Sequence, residues 1–238
     1  MILSMISERN MPKNEFAVSK ELHDALVERE RKIRKEHSKL YYPFFKRLAD
    51  ICCSLAALIV MLILLPFVAV AIKIDSRGPV FFSQMRVGQY GELIKIYKFR
   101  TMCADAEKKI DKNVFKNKNN PFLQHENDDR VTKVGAFLRK FSIDELPQLF
   151  CVFKGDMSFI GPRPFIIEET SVLSNEQLMR LAIRPGLTSL AQISGRNDLN
   201  LQERMEKDLE YMDKMSAGLD IKILWKTIIQ VLTSKGAS

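Results

Sequence analysis

The chain has 238 residues, with 37 Lys and Arg against 29 Asp and Glu, enough length for one hydrophobic core plus appendages. Its net charge of +8 and pI near 9.3 favour anionic partners: phosphorylated metabolites, nucleic acid or an acidic leaflet. Cys52 and Cys53 adjoin, Cys103 and Cys151 stand alone, and His23, His37 and His125 are scattered, which excludes a structural zinc site or a disulfide framework and fits a reducing cytoplasm.

Residues 1–45 read as a charged helical appendage. Ser19 to Ser38 is rich in Glu, Lys and Arg, with Leu22, Leu26 and Ile33 as sparse apolar positions, the pattern of a solvated helix or of one that docks on a leaflet or partner. No secretory signal is expected, because the first apolar run starts late and follows charge.

Ile51 to Ile72 is that run: 22 residues without a charge, 13 of them Leu, Ile, Val or Phe. A helix of this length reaches about 33 Å against a bilayer core of about 30 Å. Pro66 interrupts it. Proline removes the amide that would bond to Leu62, so a kink is expected, and the leg up to Leu65 spans only about 22 Å. Both flanks are basic. Arg29 to Arg47 holds eight basic and two acidic residues, and Lys73 to Arg100 holds six and two. Since basic flanks favour the cytoplasm, a helix that enters, bends at Pro66 and returns satisfies both sides better than a spanning one. Residues 46–78 are therefore read as a re-entrant membrane helix.

Residues 79–238 are expected to form a cytoplasmic catalytic domain. Val80 to Gln84 and Leu93 to Phe99 are β-rich, with Gly88 and Gly91 between them, which predicts a hairpin. Asp105 to Asp129 is polar and Asn/Lys-rich, a predicted surface excursion. From Val131 the pattern is helical. Leu219 to Thr233 places Ile221, Leu224, Trp225, Ile228 and Leu232 at helical spacing; a terminal core helix is the expected reading, with a membrane-surface helix anchored by Trp225 as the alternative. The fold class is thus α/β: mostly helical, with a small hairpin, a membrane helix and a compact catalytic domain.

The densest chemistry lies in SIDELPQLFCVFKGDMSFIGPRP, Ser142 to Pro164. Asp144 and Glu145 point about 100° apart if helical, so they cannot flank a scissile bond as glycosidase acids do. A division of labour fits better. A carboxylate can attack a phosphoryl centre, while its neighbour holds a metal or tunes it; Mg²⁺, a hard ion that takes one or two carboxylates with phosphate and water, suits this setting. Ser142-x-x-Glu145 is also a capping-box signature, and Pro147 suits an early helical turn. A helix start there would attract phosphate too. Arg139 and Lys140 precede the acids. Arg163 lies between two prolines that fix its backbone, Arg184 precedes Pro185-Gly186, and Arg196 follows Gly195. These arginines, with Arg100 and Lys98, are candidate phosphate ligands. Asp156 reads as a turn former.

These segments, with IYKFRTM (Ile96 to Met102) and RPGLTSLAQISGRN (Arg184 to Asn197), resemble the bacterial sugar transferases, the monotopic polyprenyl-phosphate phosphoglycosyl transferases, over roughly Lys46 to Thr233. The resemblance implies a re-entrant helix at the bacterial inner membrane with the domain on its cytoplasmic face. It implies transfer of a sugar 1-phosphate from a UDP-sugar to polyprenyl (undecaprenyl) phosphate, starting an exopolysaccharide, capsule or other surface glycan. It further implies that Asp144 is the nucleophile, that Glu145 assists with Mg²⁺, and that the arginines contact the nucleotide diphosphate or the lipid phosphate. One departure stands in the last motif. Ser189 and Leu190 occupy positions where the family usually has Gly and Trp, which bears on sugar preference or on how this segment meets the membrane. Membrane lipids are expected partners, self-association is left open, and nucleic acid is not expected, because zinc-finger spacing and an RNP motif are both missing from the sequence. The rival readings are a non-enzymatic membrane-anchored basic protein that binds nucleic acid or an acidic partner, and a DxD glycosyltransferase that would release UDP.

Overall fold

The structure, a computed structural model, describes residues 18–36, 44–103, 106, 128–195 and 199–233. Most of the predicted polar excursion, and Arg196, lie outside those residues. Helix α1 (Lys20–Glu36) is followed by the 30-residue helix α2 (Lys46–Asp75). Strands β1 (Phe81–Val87) and β2 (Leu93–Phe99) then pair antiparallel, in register from Phe81 with Phe99 to Val87 with Leu93. This is the predicted hairpin, with β1 starting one residue later and ending three residues beyond its apolar run. Helix α3 (Lys133–Lys140) leads into a 3-10 turn (Ile143–Gln148) and helix α4 (Leu149–Lys154). Strand β3 (Ser158–Ile160) pairs parallel with β4 (Gly186–Thr188). Between them lie short helices α5 (Ile167–Thr170) and α6 (Asn175–Leu178), and after them α7 (Leu190–Ser194), α8 (Leu201–Asp213) and α9 (Ala217–Thr233). The β3–β4 pair is too short to leave a period in the sequence.

Helix α1 is not the solvated helix that its charge suggests. Leu26, Glu30 and Ile33 are buried, four and three residues apart on one face. Leu26 and Ile33 join the main core with Val87, Phe165, Met205 and Tyr211. Sparse apolar positions suffice because the helix needs only one narrow contact stripe.

Helix α2 runs unbroken through Pro66. Only 11% of its most apolar stretch is buried, and Leu55, Ile59, Ile63 and Phe67 all stand exposed. Both of its ends are nevertheless tied to the globular part. At the start, buried Lys46 donates to Asp220 at 2.6 Å. Asp50 accepts from the Ser158 hydroxyl at 3.1 Å and the Phe159 amide at 3.0 Å. Arg47 donates to the Val152 and Phe153 carbonyls, both at 2.7 Å. At the far end, Asp75 accepts from the Val134 amide at 2.8 Å, and Ile72 packs with Phe99 and Leu138.

The last helix overturns the expected core reading. Ile221, Trp225, Ile228 and Leu232 are exposed, Trp225 by 64%. The buried strip of α9 is instead Asp220 and Ile223, continued by Thr227, whose hydroxyl bonds that of Thr188 at 2.7 Å. That strip spaces three and four residues, so the opposite apolar face is left uncovered.

Removing one partner of a buried ion pair strands the other charge. Asp220→Asn should therefore lower unfolding stability in detergent by about 3 kcal/mol. Lys46→Met/Asp220→Asn, which keeps an acceptor for Tyr211, should recover much of the loss. Equal losses in the single and double variants would contradict a stranded Lys46 charge as the cause.

Candidate active site

Residues from all three quoted segments meet beside the turn that follows α3. Thr132 caps α3 by accepting from the Gly135 amide at 3.0 Å. Gly135 lets the helix approach the end of β2, because a Cβ there would stand 2.1 Å from the Thr101 carbonyl oxygen. That approach brings Arg139 to the Thr101 hydroxyl, to which its Nε donates at 3.0 Å. The chain then turns at Ser142, which is left-handed at φ 54°. The predicted capping box does not form. The Ser142 side chain makes no cap bond, and the Glu145 carboxylate accepts from Lys98 at 2.7 Å. The acids thus sit in a 3-10 turn facing strand β2, not at the start of an α-helix.

Asp144 is 8% exposed. Burial foremost, and the adjacent Glu145 charge next, push its carboxyl up to about 6, against the pull of Lys98, Arg139 and Arg163. Glu145 also lies 3.9 Å from the Arg163 guanidinium. A small cleft is lined by Lys98, Glu145, Gln148, Arg163, Pro164 and Gly186. Gly186 belongs to β4, which pairs with β3 so tightly that a Cβ on it would lie 2.1 Å from the Gly161 amide nitrogen. This contact fixes the Gly161–Pro164 loop that presents Arg163.

Of the residues singled out in the sequence, Asp144, Glu145, Lys98, Arg139 and Arg163 come together here. Arg100 does not. Its guanidinium is spent on the turn after α2, donating to the Ser76 carbonyl at 2.7 Å and the Arg77 carbonyl at 3.0 Å. Arg184 lines a different cavity with Arg47 and Tyr90. Asp156 pairs locally with Lys154 at 2.9 Å, as a turn former would. Ser189 caps α7, accepting from the Gln192 amide at 3.1 Å, which gives the departure from the family pattern a local structural role.

Two functional candidates left no motif. Arg86 on β1 lines the cleft. Burial foremost lowers its guanidinium to about 10, opposed by Glu169, which lies 3.4 Å away. Its alternation on a half-buried strand is the only sequence signal. Arg180 is almost wholly buried. It pairs with Asp208 at 2.7 Å, stacks over the Phe165 ring at 4.0 Å and donates to the Arg163 carbonyl at 2.6 Å. It steadies the Arg163 loop from behind, a role that only tertiary structure reveals.

Among the described residues no three His, Cys, Asp or Glu side chains cluster for a metal. The Asp144–Glu145 pair supplies hard oxygen donors, the set that Mg²⁺ shares with substrate phosphate and water. The residues present therefore fit that ion, with Lys98 as its competitor at Glu145.

A buried carboxylate thus stands beside an acidic partner and among three cations. Residues 41–234 match the family described as bacterial sugar transferase. Over 194 residues the chain is 42% identical to the galactosyl transferase CpsE of Streptococcus agalactiae, covering 81% of this chain and 43% of CpsE. It is 41% identical over 201 residues to the UDP-glucose:undecaprenyl-phosphate glucose-1-phosphate transferase of Klebsiella pneumoniae, covering 81% and 41%. It is 37% identical over 200 residues to the exopolysaccharide production protein ExoY of Rhizobium meliloti, covering 81% and 87%. The chain thus spans less than half of the first two relatives and most of the third. It belongs to the bacterial sugar transferase family and is an enzyme of that family.

Because the Asp144 carboxyl sits near 6 instead of 3.8, the native state holds a proton that the unfolded chain has lost between those values. Stability is therefore expected to fall as pH rises through that window. In EDTA, Asp144→Asn should be more stable than wild type at pH 7, by about 3 kcal/mol at 1.36 kcal/mol per pKa unit. The difference should vanish near pH 3.5. Thermal unfolding across pH checks this, and a pH-independent difference would contradict the burial argument.

Proposed function

We propose that this chain transfers a sugar 1-phosphate from a UDP-sugar to polyprenyl phosphate, as a phosphoglycosyl transferase that starts a surface glycan such as an exopolysaccharide or capsule. The observation that carries this reading is the buried Asp144 beside Glu145, with Lys98, Arg139 and Arg163 around them. The relatives' names point the same way.

In the proposed double displacement, an Asp144 oxygen attacks the phosphorus that bears the sugar. The P–O bond to the nucleotide breaks and UMP leaves with that oxygen. An oxygen of the lipid phosphate then attacks the aspartyl phosphorus, restoring the carboxylate and forming the lipid diphosphate sugar. Arg163 and Lys98 orient and neutralise the diphosphate, and Arg139 favours the ionised form of Asp144. Asp144 and Glu145 would hold Mg²⁺, which when bound offsets the repulsion between nucleophile and diphosphate.

Helix α2 supports the membrane placement. Both ends of this apolar helix are fastened to one globular body, which supports a re-entrant course over a spanning one. Pro66 lies in its middle, and the domain would then sit on the cytoplasmic face. The uncovered face of α9, with Trp225, suits the plane of the interface.

With detergent-solubilised protein, a UDP-sugar and polyprenyl phosphate, UMP should be released. Asp144→Asn should lower the rate by at least about 10³-fold, as loss of a nucleophile does. UDP release would instead favour the glycosyltransferase reading. Salt-sensitive nucleic-acid binding without UMP release would favour the non-enzymatic one.

A further inference from the structure

We propose that helix α1 closes a second phosphate-binding site, separate from the Asp144 centre, at the base of α2. A cavity of about 230 Å³ lies between Arg34 of α1, Lys46 and Arg47 in the first turn of α2, Tyr90 of the hairpin turn, and Arg184. None of its lining residues belongs to the cleft around Glu145. At about 30 Å³ per water, it has room for roughly seven waters, enough for a phosphate group with a small substituent.

The charges on its wall are unevenly matched. Among the described lining residues, four cations (Arg34, Lys46, Arg47 and Arg184) face two carboxylates, Glu30 and Asp50. Arg34 is paired with Glu30 at 2.7 Å, and Lys46 with Asp220 at 2.6 Å. Asp50 is engaged by the Ser158 hydroxyl and the Phe159 amide. The Arg47 hydrogen bonds go to neutral carbonyls, and the Arg184 guanidinium hydrogen bonds to no described residue. Arg47 and Arg184 stand close enough to repel each other. An anion between them would turn that repulsion into two charge-assisted contacts, and guanidinium forks suit a phosphate best.

Helix α1 walls this site from outside the matched family region. It ends at Glu36, upstream of the region shared with the family, which begins at residue 41. Yet it is held firmly over the cavity: Glu30 accepts from Gln89 and the Tyr90 hydroxyl, while Leu26 and Ile33 enter the core. The phosphate could belong to a soluble phosphorylated metabolite or to an anionic lipid headgroup reaching in beside exposed Phe44 and Phe45. Both present the same dianionic or monoanionic oxygens.

The test uses the full chain in detergent with EDTA, and thermal shift with inorganic phosphate as the first probe. A second arm compares phosphatidylglycerol with phosphatidylcholine nanodiscs. Phosphate should raise the melting temperature, and Arg184→Gln and Arg34→Gln should each weaken the half-saturating concentration by at least fivefold. The response should persist in Arg163→Gln. Stabilisation by phosphatidylglycerol alone, lost in the same two variants, assigns the site to a lipid headgroup. The proposal is overturned if neither probe stabilises the protein, or if the response is lost in Arg163→Gln and kept in Arg184→Gln, which would place the anion at the Asp144 centre. Since the readout is binding, it stands or falls apart from UMP release.

Discussion

Taking a carboxylate out of water costs free energy, and Asp144 is held out of water beside a second carboxylate. What keeps it ionisable at neutral pH is the set of cations delivered by separate elements: Lys98 from β2, Arg139 from α3 and Arg163 from the loop after β3. The two arginines depend on close backbone approaches elsewhere. Gly135 admits α3 to Thr101, and the Gly161–Gly186 contact sets the loop of Arg163. Arg180 and Asp208, with no direct part in the centre, hold that loop from within the core. The centre is thus poised: buried enough to raise the carboxyl, and surrounded enough to let it lose its proton near neutrality.

The same body must carry a long apolar helix. Helix α2 offers little of its surface to the protein, yet polar contacts fasten both ends. Lys46, Asp50 and Arg47 at its first turn contact α9, β3 and α4, respectively. Arg100, at the end of β2, bonds the turn that closes the helix. The strand that supplies Lys98 to the acids thus also supplies the residue that ties down the helix exit. The long apolar helix and the acidic centre share one scaffold.

Much of this is legible in the residues. The apolar run and the hairpin carry strong local signals, and the pairing of Asp144 with Glu145 near Arg163 follows from a motif compressed into a few turns of chain. Local rules mislead where tertiary contacts decide. Ser142-x-x-Glu145 has the letters of a capping box, but Lys98 takes Glu145 and Ser142 turns left-handed. Arg100 looks like a phosphate ligand, yet its guanidinium meets carbonyls. Charge in Ser19 to Ser38 hides a core stripe only three residues deep. On α9 the apolar letters face outward, because a buried Asp220 and Ile223 make the contact instead. Arg86 and Arg180 have no motif at all, since their partners lie far away in sequence.

The proposed reaction requires a bond between an Asp144 oxygen and phosphorus. Intact-protein and peptide mass spectrometry of enzyme incubated with UDP-sugar, without polyprenyl phosphate, tests it directly. A sugar-phosphate mass should appear on the peptide bearing Asp144, disappear when lipid phosphate is added, and fail to form in Asp144→Asn. Continued product formation with that side chain unmodified at every time point would contradict the account.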